Sequence, residues 1–213
     1  MTLVMKFGGT SVGSAAAMRE TADLILQARD TWGQVAVVAS AMGSRPVKVT
    51  DLLLQGAQTA FTGDRETHQR LAVQLREIHY EAIDGLLSPE GERQIMLAEI
   101  ERFIERFTTL CGAVSVLGEL TPRALDAISG MGEQMSVRIL AAYLRELGYD
   151  SEAIDATELI LTDGNFQNAA PLSAATREQT VARLQPLLDD DAIPVITGFI
   201  GATADGVTTT LGR

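Results

Sequence analysis

The 213-residue sequence predicts an α/β fold around a mainly parallel sheet, and three observations carry that prediction. Apolar runs of strand length alternate with amphipathic helical stretches, the pattern of β-α-β units. Residues 34–39 are apolar enough to be buried on both faces, as a strand of a covered parallel sheet is, and residues 193–197 read as a second strong strand. Glycine- and hydroxyl-rich segments follow the runs, at the strand ends where open α/β sheets bind ligands.

Residues 3–7 form the first strand and run into Lys6-Phe7-Gly8-Gly9-Thr10-Ser11. A helix over 14–29 follows, with Ser14 as N-cap and Met18, Ala22, Leu24, Ile25 and Ala28 on its inner side. The second strand, 34–39, ends at Ser40-Ala41-Met42-Gly43. Residues 50–110 read as three helices with no strand between them, an excursion from the sheet suited to packing or subunit contact. Thr50-Asp51 caps the first, Asp64 starts the second and Ser88-Pro89 the third. Thr121-Pro122 starts a further helix, interrupted at Ser129-Gly130-Met131-Gly132 and resumed from Glu133 to Leu147. Short strands fall at 151–154 and 158–161, a helix at 173–189, and a strand at 193–197 with Pro194 near its start. Gly198, Gly201, Gly206 and Gly212 punctuate a hairpin-like segment after it.

Composition narrows the function. A net charge of −11 argues against nucleic acid or an anionic membrane surface as partner. A nucleotide held by a local nest of N–H groups is compatible with it. Cys111 is the sole cysteine, so no internal disulfide can form, and its neighbours Phe107, Leu110 and Val114 suggest a buried position rather than a nucleophile. His68 and His79 have no Cys or His at metal-ligand spacing, so no structural metal site is expected. The N-terminus lacks a signal-peptide pattern and no eighteen-residue apolar run occurs, which makes the cytoplasm the default location.

Four segments could converge at the strand ends. In the first, Gly8 and Gly9 let backbone N–H groups approach an anion, Thr10 and Ser11 add hydroxyls, and Lys6 adds a full charge. The same residues also suit a β-α turn that needs glycine for its geometry. The second segment is Ser40 to Gly43. In the third, Glu133 enters a helix in its first turn, where it either caps the helix or accepts a substrate ammonium. The fourth runs from Thr197-Gly198-Phe199-Ile200-Gly201 to Thr208-Thr209-Thr210-Leu211-Gly212-Arg213. There Arg213 is either a surface charge or a two-point grip on a carboxylate.

Three of these segments, in this order, resemble aspartokinases of the amino acid kinase superfamily. Lys6-Phe7-Gly8-Gly9-Thr10-Ser11 resembles their N-terminal signature, and Ser129-Gly130-Met131-Gly132-Glu133 is similar to their Ser-x-Gly-Glu helix start. Gly198-Phe199-Ile200-Gly201 with Thr209-Thr210-Leu211-Gly212-Arg213 resembles their third motif, and Asp155-Ala156 with Thr162-Asp163 also fits. Thr157 departs from the arginine common after Asp-Ala. The resemblance covers essentially the whole chain and implies a three-layer αβα fold with a helical insertion at about residues 50–110.

What the resemblance implies for function is transfer of the γ-phosphoryl of ATP to the β-carboxylate of L-aspartate, the first step towards lysine, threonine and methionine. Lys6 would stabilise the transferred phosphoryl, with Gly8, Gly9, Thr10 and Ser11 around it. Ser40 and Thr50 would bind aspartate, Glu133 its ammonium and Arg213 its α-carboxylate. Phe199 would wall the pocket or pack in the core. Mg²⁺ would arrive with ATP, and a homodimer is implied. The family continues after this arginine with Gly-Gly-Ser-Asp, a nucleotide-binding half and ACT regulatory domains. The expectation is therefore an N-terminal, aspartate-binding lobe over 1–213 with little kinase activity by itself. Two alternatives stand beside it: a non-catalytic aspartate-binding or assembly module, and a kinase of another small carboxylate.

Overall fold

The computed structural model describes residues 1–44, 47–64 and 66–212. In chain order its elements begin β1 (Thr2–Phe7), α1 (Ala15–Trp32), β2 (Gln34–Ala39) and the two-residue strands β3 (Gly43–Ser44) and β4 (Val47–Lys48). Five helices follow: α2 (Val49–Phe61), α3 (Thr67–Leu86), α4 (Arg93–Leu117), α5 (Pro122–Ser129) and α6 (Met131–Glu146). β5 (Ser151–Ile154), α7 (Ser173–Asp189), β6 (Ile193–Thr197), β7 (Ile200–Ala202) and β8 (Thr208–Thr210) come last. β1, β2, β6 and β5 pair side by side in that order, each pair parallel. β7 and β8 form a separate antiparallel hairpin.

The period-two alternation of β2 creates the layers. Val35, Val37 and Ala39 enter a large core with α1, α6 and the α2–α4 block. Ala36 faces the other way, into a smaller core with Ile154, Ile196, Leu184 and Leu188. The sheet thus lies between α7 on one face and α1 and α6 on the other, the three-layer arrangement. The predicted helical excursion is one packed block whose α4 fully buries Met96, Ile100, Ile104 and Phe107. Each such side chain contributes about 1.5–3 kcal/mol through burial. Cys111 joins that core, and burial pushes its thiol up to about 12. His79 is also fully buried there; its ring Nδ1 meets the Leu75 carbonyl at 2.6 Å, and burial lowers its pKa to about 4.

Several boundaries match the sequence expectation. Ser14 caps α1, its hydroxyl accepting the Ala17 N–H at 3.2 Å. Thr121 caps α5 in the same way, and the Asp64 carboxylate accepts the Glu66 and Thr67 N–H groups ahead of α3.

Others differ. Thr50 and Asp51 do not cap α2: the helix starts at Val49, because burying Val49 and bonding its N–H to Met42 O draws the first turn one residue earlier. Ser88 does not start α4, which begins at Arg93. The Ser88 N–H instead bonds the Glu146 carboxylate and its carbonyl accepts from Gly91, closing a turn. The interruption at 129–132 shrinks to Gly130, whose backbone stays near helical values. Residues 158–161 are not a strand. Ala156–Glu158 form a 3-10 turn, and pairing is confined to a single parallel bridge of Leu161 to Ala202, while the Thr176 hydroxyl and the Leu172 N–H take the other side of Leu161. Leu24 is 51% exposed, since it lies about 200° around α1 from buried Ala22.

Candidate functional site

A cavity of about 440 Å³ opens at the carboxyl end of the sheet. Lys6 reaches it from β1, Ser40 from the residue after β2, and Gly198 and Phe199 from the end of β6. Thr50 and Asp51 enter from the first turn of α2, Glu133 from the first turn of α6, and Leu211 and Gly212 from beyond β8. Lys48, Val38 and Ala39 complete the lining. A larger cavity, about 530 Å³, lies between α1 and α3, but none of the candidate site residues lines it.

Local geometry holds these groups in place. Ser40 donates its N–H to Phe7 O, extending the β1–β2 register, and Gly198 donates to Ala39 O at 2.8 Å. Gly132 lets the start of α6 press against the segment leaving β2. A β-carbon there would lie 2.8 Å from Ala41 Cβ and 3.2 Å from Val49 Cγ1. Phe199 holds a left-handed backbone at φ 66°, a conformation unfavourable for a bulky side chain and found where the surroundings impose it. Its carbonyl accepts the Leu211 N–H at 2.8 Å, which ties the segment after β8 to the end of β6.

Glu133 is the unusual member. It is 2% exposed, and its Oε2 has no hydrogen-bond partner among the described residues. Burial pushes its carboxyl up to about 7, against the opposing pull of its own N–H and that of Ala41. A buried, under-satisfied carboxyl at the wall of a cavity suits a donor or cation brought by a ligand.

Buried polar groups behind the wall hold the elements. Asp126, 1% exposed, accepts from the Thr210 hydroxyl at 2.6 Å and from the N–H groups of Thr210 and Gln167. The Thr162 and Thr209 hydroxyls bond each other at 2.8 Å. Two of the threonines in the final motif are thus structural: they fix the hairpin that delivers Leu211 and Gly212. Asp155 accepts from Gln134 and from both ends of the Arg138 guanidinium, whose Nε bonds Glu99. That network locks the helix carrying Glu133 to β5 and α4.

Lys6, Ser40, Thr50, Glu133 and Phe199, all singled out from sequence, therefore share one cavity. Gly8, Gly9, Thr10 and Ser11 do not line it; Gly9–Val12 form a 3-10 turn just beyond Lys6, with Ser11 N–H bonded to Gly8 O. Arg213 lies outside the described residues. Lys48 and Asp51 were missed, as no local motif marks them. For Lys48 a signal existed: it is one of only two lysines in the chain. Among the described residues no three of His, Cys, Asp and Glu stand together as a metal-ion cage, and no helix is long and apolar enough to cross a membrane.

Residues 1–213 match the amino acid kinase family. The chain is 34% identical to aspartokinase 2, chloroplastic, of Arabidopsis thaliana, covering all of this chain and 38% of that protein. It is 32% identical to lysine-sensitive aspartokinase 3 of Escherichia coli (strain K12), covering 99% of this chain and 43% of that one. It thus spans about two-fifths of the length of these relatives. Among solved structures, E. coli aspartokinase III in complex with aspartate and ADP superposes with a TM-score of 0.85 at 31% identity, over all of this chain and 44% of that one. Clostridium acetobutylicum aspartate kinase superposes at 0.75 with 20% identity, over 99% of this chain and 42% of that one, a likeness of fold.

Proposed function

The chain belongs to the amino acid kinase family, and from that premise we propose that it serves as an aspartate kinase, transferring the γ-phosphoryl of ATP to the side-chain carboxylate of L-aspartate. The observation that carries the reading is the buried carboxyl of Glu133, with its partnerless Oε2, in a cavity that also holds Lys6. An amino acid supplies the ammonium that Glu133 lacks among the described residues, and a phosphoryl donor supplies an anion for Lys6. The complex of aspartate and ADP with the E. coli relative supports both substrates.

In the proposed reaction a carboxylate oxygen of aspartate attacks the γ-phosphorus, the bond to the β–γ bridging oxygen breaks, and ADP leaves with that electron pair. The carboxylate is already ionised at neutral pH, so no proton needs to move. The barrier is repulsion between anions, and catalysis is positioning plus charge neutralisation. Lys6, with the Gly8, Gly9, Thr10 and Ser11 turn beside it, offsets the phosphoryl charge. The hydroxyls of Ser40 and Thr50 orient aspartate, Glu133 holds its ammonium and Phe199 walls the pocket. Arg213 keeps the α-carboxylate role that the resemblance gives it. Mg²⁺ would arrive with ATP, held largely by phosphate oxygens and water. We further propose a cytoplasmic location, the default of the sequence, and a homodimer, as the family resemblance implies.

Titration calorimetry with L-aspartate tests the proposal. The chain should bind L-aspartate, and Glu133→Gln should weaken binding on the order of tenfold or more, since a charged hydrogen bond is lost. Equal affinity in the two proteins would remove Glu133 from the substrate site.

A further inference from the structure

We propose that Lys48 is a second phosphate-binding cation of this cavity, acting on the same polyphosphate as Lys6. This rests on the kinase reading and deepens it. Of the seventeen Lys and Arg residues in the chain, only Lys6 and Lys48 are lysines, and both line the 440 Å³ cavity. They arrive on different elements, Lys6 at the end of β1 and Lys48 at the end of β4.

Lys48 is exposed and forms no ion pair with a described residue, whereas Arg76, Arg93, Arg138, Arg145 and Arg183 are each engaged by carboxylates. Its backbone is nonetheless held. Lys48 pairs with Gly43 across the β3–β4 ladder, and the next residue bonds Met42 O at 3.0 Å. The Lys48 stem runs beside Gly43: a β-carbon on Gly43 would lie 3.5 Å from Lys48 Cγ and 3.9 Å from the Gly9 carbonyl carbon. One glycine therefore separates the Lys48 stem from the turn that follows Lys6. The two lysines flank the Gly8-Gly9 turn, and Asp51 and Glu133 supply the negative part of the wall.

Residue type agrees with this geometry. An ammonium is a compact point charge on a flexible stem and meets a tetrahedral phosphate from many directions. The planar fork of arginine favours two-point contact instead. A polyphosphate also carries more charge than one lysine offsets, so a second cation on the same turn adds to its binding.

The test uses the chain labelled with ¹³C-lysine, which gives two lysine side-chain signals, assigned with Lys48→Met. Sodium pyrophosphate is the probe. Both signals should shift along one binding curve. Lys48→Met should weaken pyrophosphate binding on the order of tenfold, with Lys48→Arg recovering most of it. A Lys48 signal that stays still, an unchanged affinity in Lys48→Met, or no response to pyrophosphate at all overturns the proposal. Calorimetry with L-aspartate separates the two readings. Aspartate binding with a silent Lys48 signal overturns the Lys48 role alone. Pyrophosphate moving both signals without aspartate binding leaves an anion site and overturns the aspartate reading. Neither ligand binding overturns both.

Discussion

Gly132 packs directly onto Ala41, so closely that a β-carbon at 132 would stand 2.8 Å from the Ala41 Cβ. This contact brings the first turn of α6 against the segment leaving β2, and it sets where Glu133 meets the cavity. Gly132→Ala forces the two apart. Overpacking of this kind costs about 1–3 kcal/mol. Urea unfolding should show that loss, and calorimetry should show weaker L-aspartate binding. Unchanged values in both measurements would mean that the contact does not position Glu133.

The Glu133 carboxyl is held up at about 7 in the folded chain by burial, against an ordinary 4.5. Between those two values the folded state keeps a proton that the unfolded state has lost. Stability from this group is therefore fully present below about pH 4.5 and declines as pH rises through about 7. The total is on the order of 3 kcal/mol. Glu133→Gln stays neutral, so its urea midpoint should lack this decline. Equal slopes in the two proteins across that window would show that the carboxyl titrates normally.

Ligand binding should carry the opposite sign. An ammonium beside Glu133 favours the ionised carboxylate, so L-aspartate affinity should rise with pH up to about 7 and level off above it. Calorimetry across that range, with Glu133→Gln as reference, reads the effect. A flat affinity would place the substrate ammonium elsewhere.

Asp126 is buried and accepts three hydrogen bonds, two of them from Thr210. Asp126→Ala leaves the Thr210 and Gln167 N–H groups without their acceptor and should cost about 3 kcal/mol or more. Thermal or urea unfolding measures it. A change within about 0.5 kcal/mol, the range of ordinary surface substitutions, would show that water takes over the role.

Gly56 makes room for the Phe107 ring between α2 and α4; a β-carbon at 56 would overlap Phe107 Cζ. Gly56→Ala should destabilise by about 1–3 kcal/mol. Adding Phe107→Leu should recover part of that loss. A double-mutant cycle in which the two changes add independently would show that they do not compete for the same space.

Much of this architecture is legible locally. Strands 34–39 and 193–197 and the helix 173–189 coincide with the structure, because a buried apolar run and a helical period are properties of a short window. Ser14 and Thr121 mark helix starts because capping needs only the next few N–H groups. The failures share one cause. Residues 158–161 look like a strand, but only Leu161 pairs, in one bridge to Ala202, and Thr176 of α7 takes its other side. Ser88 looks like a cap, but its N–H is taken by Glu146, and the helix waits until Arg93. In each case a partner far along the chain decided the outcome.

The candidate site divides the same way. Lys6, Glu133 and Phe199 stood out because each sits in a recognisable motif at a strand end or helix start, and Ser40 and Thr50 through the family resemblance. Lys48 carries no motif, and its place beside the Gly8-Gly9 turn depends on the β3–β4 ladder laying it against Gly43. The sequence by itself determined most of the helices and sheet strands, the parallel sheet, the family and the chemical character of the strand-end loops, since these follow from local pattern and residue type. Only the tertiary structure decided that Glu133 is buried with an oxygen unpaired among the described residues, that Thr209 and Thr210 are structural, and that both lysines meet at one cavity. Burial and convergence depend on distances between segments remote in sequence, and those distances exist only once the sheet and helices have packed.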